Sequence, residues 1–255
     1  VAPNIIHFIF GLEKDFGNKP FSIIHYLAIK SAKVINNPDN IFFYYKYLPN
    51  GYWWDRIIKE NMVNLVKIDV PNSIFGNKLY HYAHKSDVLR LLILIEYGGN
   101  YLDIDTICIK ALKPFYFNSC NLAAEVNSGI NYGLCNAVII AEKDSLFLKY
   151  WLSTYKYFRS KGQDCYWGEH SIIIPYKISK MFPKLIRVLP SWYFFYPSYS
   201  DKDLISLFKY KVPITNSFII HLWENLSYEK YLRFLDEDEI KKIDTTYNLV
   251  VRQYL

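Results

Sequence analysis

The sequence predicts an α/β fold: a mixed, mostly parallel central sheet flanked by helices, with added helices at the C-terminus. Three observations predict it. Apolar runs at "NIIHFIF" (4–10), "NIFFYYKY" (40–47) and "VNLVKID" (63–69) alternate with helical patterns, the order that builds parallel strands covered by crossover helices. The 255 residues are 51% hydrophobic, enough to bury a substantial core. No linker or internal repeat divides them, so the chain is expected to form one domain, with residues 1–125 as a ligand-binding half and 126–255 as a second half grafted onto it.

The elements follow in order. "NIIHFIF" is a buried strand, and a helix is expected over about 21–35. Strand "NIFFYYKY", helix "YWWDRIIKE" and strand "VNLVKID" come next. In "HKSDVLRLLILIEY" (84–97), Val88, Leu91, Leu92 and Ile95 share a helical face, and Gly98 and Gly99 stop that helix as a C-cap does. "NYLDID" then starts a strand. Strands around "NLAAEV" and "NAVIIAE", helices near 144–160 and 169–181, a proline-punctuated "LPSWYFFYPSY", a strand "SFIIHLW" and a helix over roughly 228–253 complete the chain.

The excess of six positive charges is dispersed, without the blocks that mark a nucleic-acid tail, so no nucleic-acid partner is expected. Cys108, Cys120, Cys135 and Cys165 form no C-x-x-C or zinc spacing and read as free, mostly buried thiols of a reducing compartment. No apolar run approaches the roughly 20 residues needed to cross a bilayer. The start lacks a signal pattern, which favours the cytoplasm, a trimmed anchor being the alternative. The terminal helix, with Tyr247, Val250, Val251 and Tyr254, packs on the core, pairs with a partner or touches a membrane.

In a strand, residues two apart share a face. Tyr101, Asp103 and Asp105 should therefore point one way, with Leu102 and Ile104 in the core. Two carboxylates this close repel unless a cation neutralises them, and a divalent metal with oxygen ligands is the natural partner. On its own, D-x-D equally describes a solvated strand end. No G-x-G-x-x-G or Walker lysine is present, which argues against a dehydrogenase or an ATPase. The lack of further Asp, His or Asn metal motifs argues against a phosphohydrolase.

The context is more specific. "YAHKSDVLRLLILIEYGGNYLDIDT" (82–106), with "APNIIHFIFG" at the start, "LPSWYFFYP" late and "IIHLWENLS" near 219, resembles the D-x-D sugar transferases of glycosyltransferase family 32 over about residues 1–235. This family is similar to initiating mannosyltransferases and α-1,4-galactosyltransferases. The resemblance implies a GT-A type nucleotide-sugar-binding fold. It also implies a retaining hexosyltransferase that uses a nucleotide-diphosphate sugar, most commonly a UDP-sugar, with Mn2+ or Mg2+, and delivers to a hydroxyl of a glycan or similar acceptor. By the same resemblance, Asp103 contacts the donor ribose and the metal, and Asp105 ligates the metal directly. Asp87 accepts hydrogen bonds from the donor sugar, and Arg90 is a cation beside sugar and diphosphate. His221 is the third metal-ligand candidate, and Trp223 packs near the leaving group. His7 and Phe8 flank the base, and Asn136 faces the sugar or acceptor. Tyr101 stands on the donor side, and Glu169 and His170 are acceptor-side candidates. A non-catalytic nucleotide-sugar or glycan-binding protein on the same fold is the alternative.

Overall fold

The computed structural model describes residues 1–255. In chain order its strands and helices are β1 (Ile5–Ile9), α1 (Ile23–Asn36), β2 (Asn40–Tyr45), α2 (Tyr52–Lys59), β3 (Asn64–Lys67), a small hairpin β4 (Ser73–Ile74) and β5 (Asn77–Lys78), α3 (Tyr82–Tyr97), β6 (Gly99–Leu102) and β7 (Thr106–Cys108). They continue as β8 (Cys120–Asn127), β9 (Ile130–Leu134), β10 (Val138–Ala141), α4 (Leu146–Ser153), α5 (Ile174–Met181), β11 (Arg187–Leu189), α6 (Asp201–Lys209), β12 (Ile219–His221), α7 (Glu224–Ser227), α8 (Glu237–Lys242) and α9 (Thr246–Val251).

The large sheet runs β11-β8-β10-β6-β1-β2-β3, with β9 beside β8. β1 is parallel to both β2 and β6, β2 to β3 and β11 to β8, whereas β10 runs antiparallel to β6 and β8. Strand alternation sends Ile6 and Phe8 to one face, where they meet Phe43 and Ile24, Leu27 and Ala28 of α1. Ile9, Tyr44, Tyr101 and Ile139 face the other way, against Val88, Leu91 and Leu94 of α3. Both faces are covered, as the apolar character of these strands requires. No helix is long and apolar enough to cross a membrane.

Three expectations need correction. Asp103–Asp105 is not strand. β6 ends at Leu102, and Thr106 closes a turn by donating from its amide (3.1 Å) and hydroxyl (2.7 Å) to the Asp103 carbonyl. The cause is a change of partner: β6 lies in the large sheet, while β7 pairs with β12 in a separate two-stranded ribbon. The expected helix over 228–253 is broken. Asp236 caps α8 by accepting from the Glu239 amide, and Thr245 caps α9 through the Asn248 amide, so each polar residue starts a new helix. The stretch 144–160 likewise divides, α4 giving way to a short 3-10 turn at Thr154–Tyr157. Cys108, Cys120 and Cys135 are buried, Cys165 is exposed, and all four are free.

Candidate active site

α3 presents Asp87 and Arg90 one helical turn apart, and its end sets up the next element. Gly98 and Gly99 follow at φ 67° and 107°, the left-handed region that glycine enters without strain. A Cβ on Gly99 would lie 2.6 Å from the Ile5 carbonyl oxygen, so only glycine lets β6 begin this close to β1. The strand then delivers the Asp103–Asp105 turn to a cleft of about 440 Å³. Antiparallel pairing places His221 of β12 across from Thr106, next to Asp105.

Asp103, Asp105 and His221 offer one ligating atom each, all within 4.8 Å of one another. The Asp103 carboxylate accepts from the Tyr101 hydroxyl at 2.7 Å and lies 3.1 Å from Arg90 Nη1. Burial raises its carboxyl above the ordinary carboxylate range despite that guanidinium. Asp105 Oδ1 sits 3.2 Å from His221 Nε2, and its Oδ2 accepts from the Glu224 amide at 2.8 Å. Burial opposes this charge too, but the imidazole and the amide hold the Asp105 carboxyl at about 2. Burial works against an imidazolium at His221, yet Asp105 outweighs it and keeps that proton above the usual histidine range. Both partners shift as a charged pair should. The other ring nitrogen of His221 is buried without a hydrogen bond. Two carboxylates and an imidazole, oxygen-rich and close-set, suit a divalent cation of the magnesium or manganese type.

Arg90 is 5% exposed and its guanidinium lies 4.4 Å from the Tyr101 ring centre. It donates to the Ser86 carbonyl and hydroxyl and to the Asn136 carbonyl, and also faces Asp87 at 3.3 Å and Asp103 at 3.1 Å. Its N–H groups are thus matched within the protein. Arg90 holds the two aspartates rather than projecting freely toward a ligand. The Asn136 side-chain amide donates to Asp87 Oδ1 at 2.7 Å. Trp223 lines the cleft, its ring centre 4.1 Å from that of His221, and takes a left-handed φ of 54° that is rare for a bulky residue.

The structure brings Asp87, Arg90, Tyr101, Asp103, Asp105, Asn136, His221 and Trp223 to one cleft. It does not bring His7 or Phe8 there. Phe8 is fully buried in the core. His7 Nε2 bonds the Gly98 carbonyl at 2.8 Å and its Nδ1 meets the Tyr44 hydroxyl at 3.0 Å. β1 contributes its continuation instead: Phe10, with its ring stacked on Phe16 at 5.5 Å, lines the cleft. Glu169 also turns elsewhere, onto Arg159 at 2.7 Å, and His170 bonds the Thr154 carbonyl at 3.1 Å. The residues that sequence reasoning missed include Ser86, Glu125, Trp167, Tyr199 and the Glu224 amide. Glu125 carried a signal as a lone charge in the apolar run "NLAAEV", and Ser86 and Glu224 stand in the segments that carry the family resemblance.

The profile of the family described as "Glycosyltransferase sugar-binding region containing DXD motif" matches residues 27–125. "Glucan organizing enzyme 1" of Cryptococcus neoformans var. grubii is 31% identical over 267 residues, spanning 100% of this chain and 71% of that protein. The chain belongs to the DXD-motif glycosyltransferases. A relative from Arabidopsis thaliana, named only as uncharacterized, is 22% identical over 81% of this glycosyltransferase, which spans just 37% of the plant protein. Among solved structures, the glycosyltransferase GlyE of Streptococcus pneumoniae aligns with a TM-score of 0.53 at 16% identity, covering 99% of this chain and 63% of that one. Mouse xyloside xylosyltransferase 1 aligns at 0.50 and 12%, covering 87% and 98%. These likenesses establish the fold, which is of the GT-A type. In this glycosyltransferase the profile match holds Asp87, Arg90, Asp103 and Asp105, whereas His221 and Trp223 lie beyond it.

Proposed function

We propose that this glycosyltransferase transfers a hexose from a nucleotide-diphosphate sugar, a UDP-sugar above all, to a hydroxyl of a glycan, with retention of anomeric configuration and dependence on a divalent metal. The observation that carries this reading is the convergence of Asp103, Asp105 and His221 within 4.8 Å, beside Asp87 and Arg90 in the cleft. Mn2+ or Mg2+ held by those three residues would supply positive charge against the diphosphate as it departs. Asp87 Oδ1 is occupied by Asn136 and Arg90, which leaves Oδ2 for a hydroxyl of the donor sugar. Arg90 fixes Asp87 and Asp103 and adds positive charge to a site that gathers anionic groups. Phe10 and Phe16, rather than His7 and Phe8, offer an aromatic face for the base. Retention is the outcome implied by the family, and because the sequence identifies no protein nucleophile, attack is assigned to the same face as the departing phosphate. The name of the fungal relative points to glucan as the class of product.

The test is a screen of nucleotide sugars, with and without Mn2+, that follows nucleoside diphosphate release and reads the anomeric configuration of products by NMR. Asp105→Ala should lower kcat by about a hundredfold or more, the scale expected for losing stabilisation of a developing charge. Full activity in EDTA, or an unimpaired Asp105→Ala protein, rejects the metal role. Metal-dependent UDP binding without turnover on any donor replaces the enzyme with a binding protein.

A further inference from the structure

We propose that Glu125 binds the acceptor, receiving hydrogen bonds from the hydroxyls of a neutral carbohydrate at the cleft wall formed by the end of β8, the Cys135–Ala137 segment and the segment around Trp167. This assignment rests on the transferase reading above and names the acceptor class for it.

The cleft holds several acids, and Glu125 is the nearly buried one that makes no ion pair. Asp87 and Asp103 face Arg90, and Asp105 faces His221. Glu125 is 6% exposed and makes no ion pair, and the group beside it is the Cys135 thiol, a weak donor. Burying a carboxylate without a cation or strong donors is costly, so this one is held ready for donors brought by a ligand. Burial also raises its carboxyl, as expected for an undersolvated charge.

Local structure aims the side chain. The pairing of β8 with β9 shifts register between Glu125 and Val126, an irregularity of the kind that turns side chains toward active sites. Glu125 pairs with Gly133, where a Cβ would lie 2.4 Å from the Ile172 carbonyl oxygen, so β9 packs tightly against the wall behind it. Half-buried Trp167 and Tyr199 line the same cleft and offer apolar faces to the C–H surface of a sugar ring. A carboxylate only accepts hydrogen bonds, so its ligand must donate them. An anionic acceptor would meet the negative charge of Glu125 itself.

The experiment uses the whole chain with Mn2+, UDP-glucose and UDP-galactose as donors, methyl α-glucoside, maltotriose and laminaritriose as neutral acceptors, and glucuronic acid as the anionic one. Glu125→Gln should raise the acceptor KM and lower acceptor kcat/KM by about ten- to a hundredfold, the effect of losing a charge-assisted hydrogen bond. Glu125→Asp should fall between, and calorimetric affinity for UDP with Mn2+ should stay within about twofold of wild type. Unchanged acceptor kinetics, a parallel loss of UDP binding, preference for glucuronic acid, or a hexosyl adduct on Glu125 in the intact mass would each overturn the assignment. If the wild type consumes neither donor, saturation-transfer NMR of maltotriose with UDP and Mn2+ decides separately: contact that disappears in Glu125→Gln supports the site, and absence of contact in the wild type overturns it.

Discussion

His7 is neutral because the fold occupies both of its ring nitrogens. Nε2–H donates to the Gly98 carbonyl and Nδ1 accepts from the Tyr44 hydroxyl, with no exposure to water. Burial lowers its pKa to about 4. The unfolded chain therefore takes up a proton near the ordinary value of about 6.5 while the folded chain does not, and stability must fall as pH drops from there to 4. That contribution amounts to roughly 3 kcal/mol at full titration. Urea unfolding at a series of pH values should show the slope in wild type and its loss in His7→Gln, the difference cancelling the other acids. Equal slopes in both proteins refute the assignment. At the same scale, Arg90 is placed by contacts that residue type does not reveal: Ser86, Asn136, Asp87 and Asp103 engage its donors. None of these acceptors except Asp87 and Ser86 is near it in sequence.

Among the elements, the Gly98–Gly99 link leaves no room for a side chain. Gly99→Ala adds a Cβ 2.6 Å from the Ile5 carbonyl oxygen at a φ of 107°, and should cost about 2 kcal/mol or more, lowering Tm by roughly 5 °C. A thermal melt within 1 °C of wild type, about the scatter expected of a neutral surface change, contradicts it. The strands and helices from β1 through α3, apart from the short β4–β5 hairpin, were legible because each has a clear period and a recognisable boundary. Beyond them the signals weaken. β9 (Ile130–Leu134) is exposed over its first three residues and lacks an alternating pattern, and α6 lies in a proline-flanked stretch that reads as coil. The late helical pattern hid two capping residues, Asp236 and Thr245. At the site, the acidic pair and His221 were legible as types. That the acids sit in a turn was not, since it follows from β7 leaving the large sheet for β12, a pairing across more than a hundred residues. Glu125 was visible as a charge, but its want of an ion pair emerges only from the folded cleft.

For the whole molecule, the proposed metal site joins the end of β6 to β12, so occupancy should stabilise the fold globally. Mn2+ at a hundred times its Kd should add about 2.7 kcal/mol, and His221→Ala should remove most of that gain. The sign of the pH effect follows from the Asp105–His221 pair, which keeps the imidazole proton above its usual range. A cation must displace that proton, so Mn2+ affinity should rise with pH through the His221 titration, with one proton released per site. Calorimetry in buffers of different ionisation enthalpy measures that proton, and a pH-independent affinity rejects the exchange. The β7–β12 ribbon has one more consequence, for biosynthesis. A ribosome completes Asp103 and Asp105 long before Ile219–His221 exists, and until those residues emerge β7 lacks the strand it pairs with. The nascent chain thus carries an incomplete chelate while residues 106–218 are made, and capture of a cation reports that β12 has arrived and docked.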